Sequence, residues 1–310
     1  MIKIFKTYEK EVRELEKHED KTWIDMINPT KDELLKMSEE FDIDLDFLEA
    51  PLDEEESPRI EIESNLLFIL VNLPSLEEDE DSREYDTIPL GIIIKEKRII
   101  TVCLKDSYIL DDFRKGKVKN FNTHKLNRFL LQILFRMDKR YLLYLKQIDR
   151  MSNYIESKLH RSMKNKELIQ LLALEKSLVY FSTSLKANEV VLEKLQKSSL
   201  VKMYPEDDDL LEDVIIENKQ AIEMASIYSN ILSGMMDAFA SVISNNLNIV
   251  MKRLTLITII LTIPTMFASF YGMNVSLPFQ NSVWAFPFVM IISLLTCIIA
   301  TAVFVKKKMF

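Results

Sequence analysis

Hydrophobic and charged positions are distributed very unevenly along this chain of 310 residues. Residues 1–253 mix apolar and charged side chains at short range, whereas residues 254–305 contain no Asp, Glu, Lys or Arg. Basic residues bound the uncharged stretch on both sides, with Lys252 and Arg253 before it and lysines at 306–308 after it. The pattern predicts a large polar domain followed by a small membrane domain.

The uncharged stretch is too long for a single crossing of a bilayer. A hydrocarbon core of about 30 Å needs about 20 apolar residues in a helix, and two such runs are present, at 254–271 and 283–305. We predict transmembrane helices there, joined by a tight extracytoplasmic loop at 272–282. Positive charge lies at the outer ends of both runs, so both termini, including a basic tail at 306–310, are expected in the cytoplasm. No apolar signal segment precedes the polar domain, so residues 1–253 are expected in the cytoplasm. With two predicted spans, we expect a multi-pass protein of the plasma or inner membrane.

The first run carries hydroxyl side chains at a spacing of three or four residues, which places them on one face of a helix. Toward the cytoplasm the same face continues through other side chains. The complete stripe is Ser244, Asn248, Met251, Leu254, Thr255, Thr258, Thr262, Thr265 and Ser269. Such a face favours contact with a partner helix or a water-filled channel over contact with lipid. The alternative is that the hydroxyls bond only to carbonyl groups of their own helix.

Pro264 lies within this run and would leave one backbone carbonyl without a donor, so the helix is expected to kink or loosen there. Two helices cannot enclose a conduit. If the stripe lines a pore, several copies of the first run must surround one axis, and the protein must be a homo-oligomer. Asp237, about three turns before Asn248, would then form a ring of carboxylates on the cytoplasmic side.

Residues 1–122 alternate short strand and helix patterns, which predicts a cytoplasmic α/β domain built on a mixed sheet. Its strands are expected at 2–5 and 23–26 and in two hairpins, at 59–73 and 88–104. The dipeptide at 28–29, Asn followed by Pro, predicts an N-cap at Asn28 and a helix that opens at Pro29 and runs to about Glu40. Acidic clusters at 53–56 and 77–81 are typical of solvated loops.

Residues 123–253 predict a helical region that includes a long stalk helix. Apolar periodicity at 124–163 and 166–200 indicates two long helices. A third helix is expected from about Asp208 directly into the first membrane run, ending at Tyr271. The predicted fold class is therefore an α+β cytoplasmic domain with a long stalk helix and two C-terminal transmembrane helices.

The composition excludes several common functions. With 4 glycines and no Gly-rich phosphate-binding motif, the chain lacks the common nucleotide-binding sequences. Its 2 cysteines cannot build a disulfide framework, and its 3 histidines lie too far apart in sequence for a His-based zinc site. No nucleophile–base pair stands out, so we expect neither an enzyme nor a bound cofactor nor a nucleic-acid partner.

The first membrane run ends in Tyr271, Gly272, Met273 and Asn274. A Gly-Met-Asn tripeptide after the penultimate span, combined with a stalk and a Lys-rich tail, resembles the CorA family of divalent-cation channels. The resemblance covers the whole architecture and is residue-specific from about Asp213 onward. It implies a funnel-shaped homopentamer in the lipid bilayer that carries Mg2+ and, in many relatives, Co2+ and Ni2+. Mg2+ would be the transported and the regulatory ion, with no other cofactor.

The resemblance also implies roles for individual residues. Gly272, Met273 and Asn274 would form the outer selectivity filter, in which Asn side-chain carbonyls hold a hydrated cation. The hydroxyl-lined section of the pore would be formed by Thr258, Thr262, Thr265 and Ser269. The hydrophobic constriction would be formed by Met251 and Leu254, and the section on its cytoplasmic side by Asn248 and Asp237.

Asp213 falls where the family has a regulatory Mg2+ site between subunits. Its partner would come from the N-terminal domain of a neighbouring subunit, with Asp81, Glu84 and Asp86 as candidates. Bound Mg2+ would bridge these carboxylates and hold the closed state, and loss of Mg2+ would loosen the ring through charge repulsion. The alternative is that Asp213 simply lies on an exposed helix surface.

Two other functions stay open. Zn2+ transporters of the related ZntB type typically carry Gly-Ile-Asn where this chain has Gly-Met-Asn. A non-conducting, membrane-anchored scaffold would need neither the hydroxyl stripe nor Asn274. The outer loop also departs from some relatives, because residues 275–282 include no acidic side chain that could concentrate cations.

Overall fold

The computed structural model describes the chain except for residues 10, 64, 79–82, 163–164, 198–203, 275–282 and 308–310. The chain divides into two compact units, unit 1 (Met1–Gly234) and unit 2 (Met235–Phe310). One helix, at Pro205–Tyr271, contributes residues to both units.

Unit 1 is built on one sheet. Its strands are β1 (Ile2–Tyr8), β2 (Glu11–Leu15), β3 (Trp23–Ile27), β4 (Arg59–Glu63), β5 (Leu66–Glu78), β6 (Arg83–Lys95) and β7 (Arg98–Cys103). They form a seven-stranded sheet in the order β2-β1-β3-β7-β6-β5-β4. β3 and β7 are parallel, and the other neighbours are antiparallel. This confirms the predicted mixed sheet, and both predicted hairpins are present as β4–β5 and β6–β7.

Helices cover both faces of this sheet. They are α1 (Lys31–Phe41), α2 (Leu45–Glu49), α3 (Tyr108–Arg114), α4 (Leu126–Ser162) and α5 (Asn165–Lys197), and unit 1 also contains the first part of α6 (Pro205–Tyr271). Phe68 of β5 is buried in one cluster with Leu34 of α1 and Phe47 of α2. The next residue, Ile69, is equally buried and faces the other way, because side chains alternate along a strand. α4 and α5 pack against β5 and β6, so the long helices cover that second face.

The start of α1 differs from the sequence prediction. Its N-cap is Thr30, whose hydroxyl accepts a hydrogen bond from the N–H of Glu33 at 3.3 Å, while the Glu33 carboxylate accepts one from the Thr30 N–H at 2.8 Å. This capping box satisfies two backbone donors at once. Asn28 instead lies in the left-handed region, with φ of 42°. The prediction of an Asn28 cap was therefore wrong, and Pro29 precedes the helix.

The predicted loop at 77–81 is also wrong in part. Glu77 and Glu78 belong to β5, which pairs with β6 over its whole length, whereas 79–81 lie outside the described residues. Glu77 forms an ion pair with Lys105 at 2.6 Å, which compensates the charge of an acidic strand end. β2 escapes sequence prediction for a related reason, because charged side chains are common on edge strands.

The predicted long helices are confirmed, except at residues 163 and 198–200, which lie outside the described residues. α4, α5 and α6 are the long helices expected from the apolar periodicity, and α6 continues through Pro264 to Tyr271. Unit 2 consists of the remainder of α6 and of α7 (Ala285–Lys306). Among the described residues, α6 and α7 are long and apolar enough to cross a membrane.

Candidate functional site

One face of α6 in unit 2 is covered by α7. Leu256 is buried, and the Sγ of Cys297 in α7 lies 3.5 Å from the carbonyl oxygen of Ile260. Ile263 and Phe267 are half-buried along the same line. At about 100° of rotation per residue, positions 256, 260, 263 and 267 lie within about 60° of one another around the helix. These positions define the covered face of α6.

The predicted pore positions lie on the other side of the same helix. By the same rotation they centre about 200° away from the covered face. We call this side the open face, and its members, all exposed, are Asn248, Met251, Leu254, Thr258, Thr262, Thr265 and Ser269. The packing of α7 against α6 thus leaves the predicted pore stripe uncovered within one chain.

The threonine hydroxyls of the open face bond to their own helix. Thr258 Oγ1 donates to the carbonyl oxygen of Leu254 at 2.9 Å. Thr262 Oγ1 lies 3.0 Å from the carbonyl oxygen of Thr258 and 2.8 Å from that of Ile259, and Thr265 Oγ1 donates to the carbonyl of Thr262 at 2.8 Å. The hydroxyl protons therefore follow the alternative interpretation, in which these side chains bond to carbonyl groups of their own helix. Their oxygens still lie on the open face, where they present lone pairs and no free proton.

The Gly-Met-Asn tripeptide closes the outer end of α6. The N–H of Gly272 donates to the carbonyl oxygen of Ala268 at 3.0 Å, and the N–H of Met273 donates to the carbonyl oxygen of Phe270 at 3.3 Å. Asn274 follows directly and is exposed. The helix thus carries Asn274 just beyond the outer end of the open face, while the rest of the loop, 275–282, lies outside the described residues.

The cytoplasmic acidic positions are also exposed. Asp237 lies in unit 2 and Asp213 in unit 1, both on α6. Glu84 and Asp86 are exposed on β6, and Asp81 lies outside the described residues. Within the described part of one chain, no three His, Cys, Asp or Glu side chains gather into a group that could hold a metal ion. The regulatory role of Asp213 therefore stays a prediction.

Sequence reasoning missed the buried carboxyls of unit 1, among them that of Asp138. Asp138 of α4 is fully buried, and neither of its carboxyl oxygens has a hydrogen-bond partner among the described residues. Burial, with a smaller contribution from the nearby Glu217 carboxylate, raises the pKa of Asp138 well above its ordinary value. The sequence does contain a signal for this burial. Asp138 lies between Met137 and Tyr141, both also buried, and an acidic residue seldom occupies an apolar helix stripe.

A family model described as CorA-like Mg2+ transporter protein matches residues 18–308. A cobalt/magnesium transport protein CorA from Methanocaldococcus jannaschii is 31% identical over 291 residues, which cover 92% of this chain and 90% of that protein.

Two solved structures extend the comparison to three dimensions. The complete CorA magnesium transporter of Methanocaldococcus jannaschii superposes with a TM-score of 0.83 at 28% identity, covering 98% of this chain and 97% of that one. The cytoplasmic domain of ZntB from Vibrio parahaemolyticus gives a TM-score of 0.59 at 16% identity, covering 79% of this chain and 97% of that domain. The ZntB likeness is one of fold alone.

Proposed function

The chain belongs to the family of CorA-like Mg2+ transporter proteins, and from this premise we propose that it conducts Mg2+ passively across the membrane. Its two C-terminal helices span the bilayer, and its large N-terminal domain is cytoplasmic. Co2+ and Ni2+ are proposed as further cargo, because they are divalent ions of the same class. For Co2+ the proposal is supported by the name of the Methanocaldococcus jannaschii relative, cobalt/magnesium transport protein.

The open face of α6 carries the proposal. Mg2+ gives up its water reluctantly and usually keeps several water ligands, and these waters act as hydrogen-bond donors. The oxygens of Thr258, Thr262 and Thr265 have their own protons directed to backbone carbonyls, so they can accept from those waters. Because the open face between Leu254 and Ser269 carries no charge, it can contact a hydrated cation without holding it tightly.

Asn274 is proposed to select the ion at the outer entrance, together with Gly272 and Met273. A ring of Asn side-chain carbonyls offers neutral oxygen acceptors to the hydration shell of a cation. The inside-negative membrane potential would draw the ion inward, since moving a divalent ion through 100 mV is worth about 4.6 kcal/mol at about 2.3 kcal/mol per elementary charge. This driving force removes the need for ATP.

Conduction along the open face requires more than one chain. We propose a homo-oligomer, and on the family resemblance a pentamer, in which α6 of each subunit turns its open face to a common axis. Met251 and Leu254 would form the constriction, with Asn248 and Asp237 on its cytoplasmic side. Because α7 covers the opposite face of α6, it would lie between α6 and the lipid.

The decisive experiment measures Mg2+ entry into liposomes that contain the purified protein, using an internal Mg2+-sensitive dye and an imposed inside-negative potential. We expect uptake by the wild-type protein and none by Asn274→Ala. Thr296→Val is the control and should conduct normally. The hydroxyl of Thr296 donates within α7, to the carbonyl oxygen of Ile292 at 2.9 Å. Entry of Zn2+ without Mg2+ would favour the ZntB-type alternative, and silence for every ion would favour a scaffold.

Regulation by cytosolic Mg2+ is proposed to act through Asp213. In that scheme Mg2+ bridges Asp213 to acidic side chains of a neighbouring subunit, with Asp81, Glu84 and Asp86 as candidates, and stabilises the closed state. We expect Asp213→Ala to weaken the inhibition of uptake by Mg2+ on the cytoplasmic side several-fold, as measured by titrating internal Mg2+. Unchanged inhibition would assign the sensing to other residues.

A further inference from the structure

Pro264 creates a specific defect inside the membrane part of α6. In an α-helix the carbonyl of each residue accepts a hydrogen bond from the N–H four residues later. Proline has no N–H, so the carbonyl of Ile260 loses its normal donor. α6 nevertheless continues as one helix through this position. The hydrocarbon core offers no bulk water as a replacement, so a neighbouring protein group is the expected donor.

The hydroxyls closest in sequence do not serve this carbonyl. Thr262 Oγ1 donates to the carbonyls of Thr258 and Ile259, and Thr265 Oγ1 donates to that of Thr262. These groups lie on the open face, whereas Ile260 lies on the covered face. Any compensating donor must therefore come from the helix that packs there.

The structure places the thiol of Cys297 at this carbonyl. Its Sγ lies 3.5 Å from the Ile260 oxygen, and it is the side-chain donor found on that oxygen among the described residues. The neighbouring hydroxyls of α7 bond to backbone carbonyls of their own helix, since Thr296 donates to the carbonyl oxygen of Ile292 at 2.9 Å and Thr301 donates to the carbonyl oxygen of Cys297 at 2.8 Å. Among these polar side chains of α7, the thiol is thus the one that reaches across to α6.

We propose that Cys297 is a positioning residue for the ion path, which donates its S–H to the carbonyl freed by Pro264 and thereby holds α7 and the covered face of α6 in register. Because the open face lies opposite on the same helix, this contact also sets the direction in which Thr262 and Thr265 point. The hydrogen bond itself is independent of the ion that the protein carries. Its effect on conduction rests on the proposed function.

A double-mutant cycle tests the role of the freed carbonyl. Cys297→Ala should lower Mg2+ uptake into liposomes about threefold, the change that corresponds to an average hydrogen bond between membrane helices. In a Pro264→Ala background the same change should have no further effect, because the new N–H at position 264 already occupies the Ile260 carbonyl. Cys297→Ser should retain wild-type uptake, and Thr296→Val again serves as the control. An equal loss from Cys297→Ala in both backgrounds would overturn the proposal in favour of simple apolar packing.

A spectroscopic measurement separates this proposal from the proposed function. The S–H stretching band of Cys297 is recorded by infrared difference spectroscopy on the full-length protein in membranes, in a Cys103→Ala background that leaves one thiol. We expect the band of a hydrogen-bonded thiol, which should shift toward that of a free thiol in Pro264→Ala. A free-thiol band before that substitution would overturn the proposal even if Mg2+ uptake were normal. If the protein shows the band of a hydrogen-bonded thiol but does not transport Mg2+, the contact is supported and only the transport function is refuted.

Discussion

The two units satisfy their polar groups in opposite ways. In unit 1, Trp23 Nε1 donates to Thr101 Oγ1 at 2.8 Å, and Thr101 donates to Asp25 at 2.8 Å, so residues far apart in sequence depend on one another. In unit 2, the hydroxyls of Thr258 and Thr262 bond to carbonyls within their own helix. Buried side chains of unit 1 such as Trp23 thus find their polar partners through tertiary structure, whereas these hydroxyls of unit 2 find theirs in local helix geometry, as a lipid environment requires.

The polar contacts of unit 1 also connect its layers. The N–H of Asn72 in β5 donates to Oδ1 of Asn188 in α5 at 2.9 Å, and Nδ2 of Asn188 donates back to the Asn72 carbonyl at 2.9 Å. Asp25 forms an ion pair with Arg114 of α3 at 2.9 Å. Burial raises the pKa of the Asp25 carboxyl to about 6, although the Arg114 guanidinium opposes that shift. Removing one partner of such a contact leaves the other buried and unpaired, which destabilises the fold.

The largest effect on stability is therefore expected from Arg114→Ala. This change leaves the Asp25 carboxyl buried without its cationic partner, which typically costs about 3–5 kcal/mol. We expect a loss of that order in the free energy of unfolding, measured by urea titration of the full-length protein in detergent. Arg13→Ala is the matched control, since its ion pair with Glu11 at 3.0 Å is exposed and should contribute less than about 1 kcal/mol. Equal stability of the two variants would show that Asp25 needs no cationic partner.

A smaller effect of opposite sign is expected from Asp138→Asn. The raised pKa keeps this carboxyl protonated to higher pH in the folded protein, whereas the unfolded chain releases the proton above about pH 4. The folded state then binds more protons, so stability falls as the pH rises from about 4 toward the folded-state pKa. The Asn variant, which cannot ionise, should be more stable at pH 7 and should gain less at pH 5.

Thermal unfolding of the full-length protein at the two pH values measures this difference. Asp209→Asn provides the control, because Asp209 is exposed and its replacement should change stability little at either pH. A less stable Asp138→Asn variant would indicate that the carboxyl is ionised and has a cationic partner in the folded protein.

The smallest effect on stability is expected within unit 2, from Thr262→Val. Because the Thr262 hydroxyl bonds only to its own helix, its loss should change the free energy of unfolding by less than about 0.5 kcal/mol. Mg2+ uptake should nevertheless fall several-fold, since the open face loses an acceptor for the hydration shell. Thr296→Val should leave both quantities unchanged. Equal uptake by the two variants would remove Thr262 from the proposed ion path.

Sequence reasoning succeeded where the physical signal is carried by neighbouring residues. The uncharged runs at 254–271 and 283–305 are matched by the apolar part of α6 and by α7. The periodic stripe already placed Thr258, Thr262 and Thr265 on one face. Side chains three and four positions apart share one face of a helix, so the sequence was sufficient to predict which residues lie on that face. The Gly-Met-Asn tripeptide then identified the family.

It failed where two local signals competed or where the partner is distant. Asn28-Pro29 and Thr30 are both plausible helix starts, and the reciprocal bonds between Thr30 and Glu33 decided between them. The strand at Glu77 depends on its pairing with β6, which the acidic composition conceals. Asp138 looks like an ordinary charged residue until three dimensions show that it is fully buried.

Pro264 shows most clearly where the two kinds of information divide. The order of residues determined that α6 would contain an unpaired carbonyl at Ile260, because the missing N–H of proline is a covalent property. It also determined which side chains share the open face. Only the packing of α7 decided that Cys297 would supply a donor, since a residue 37 positions away can meet that carbonyl only after both helices have formed and docked.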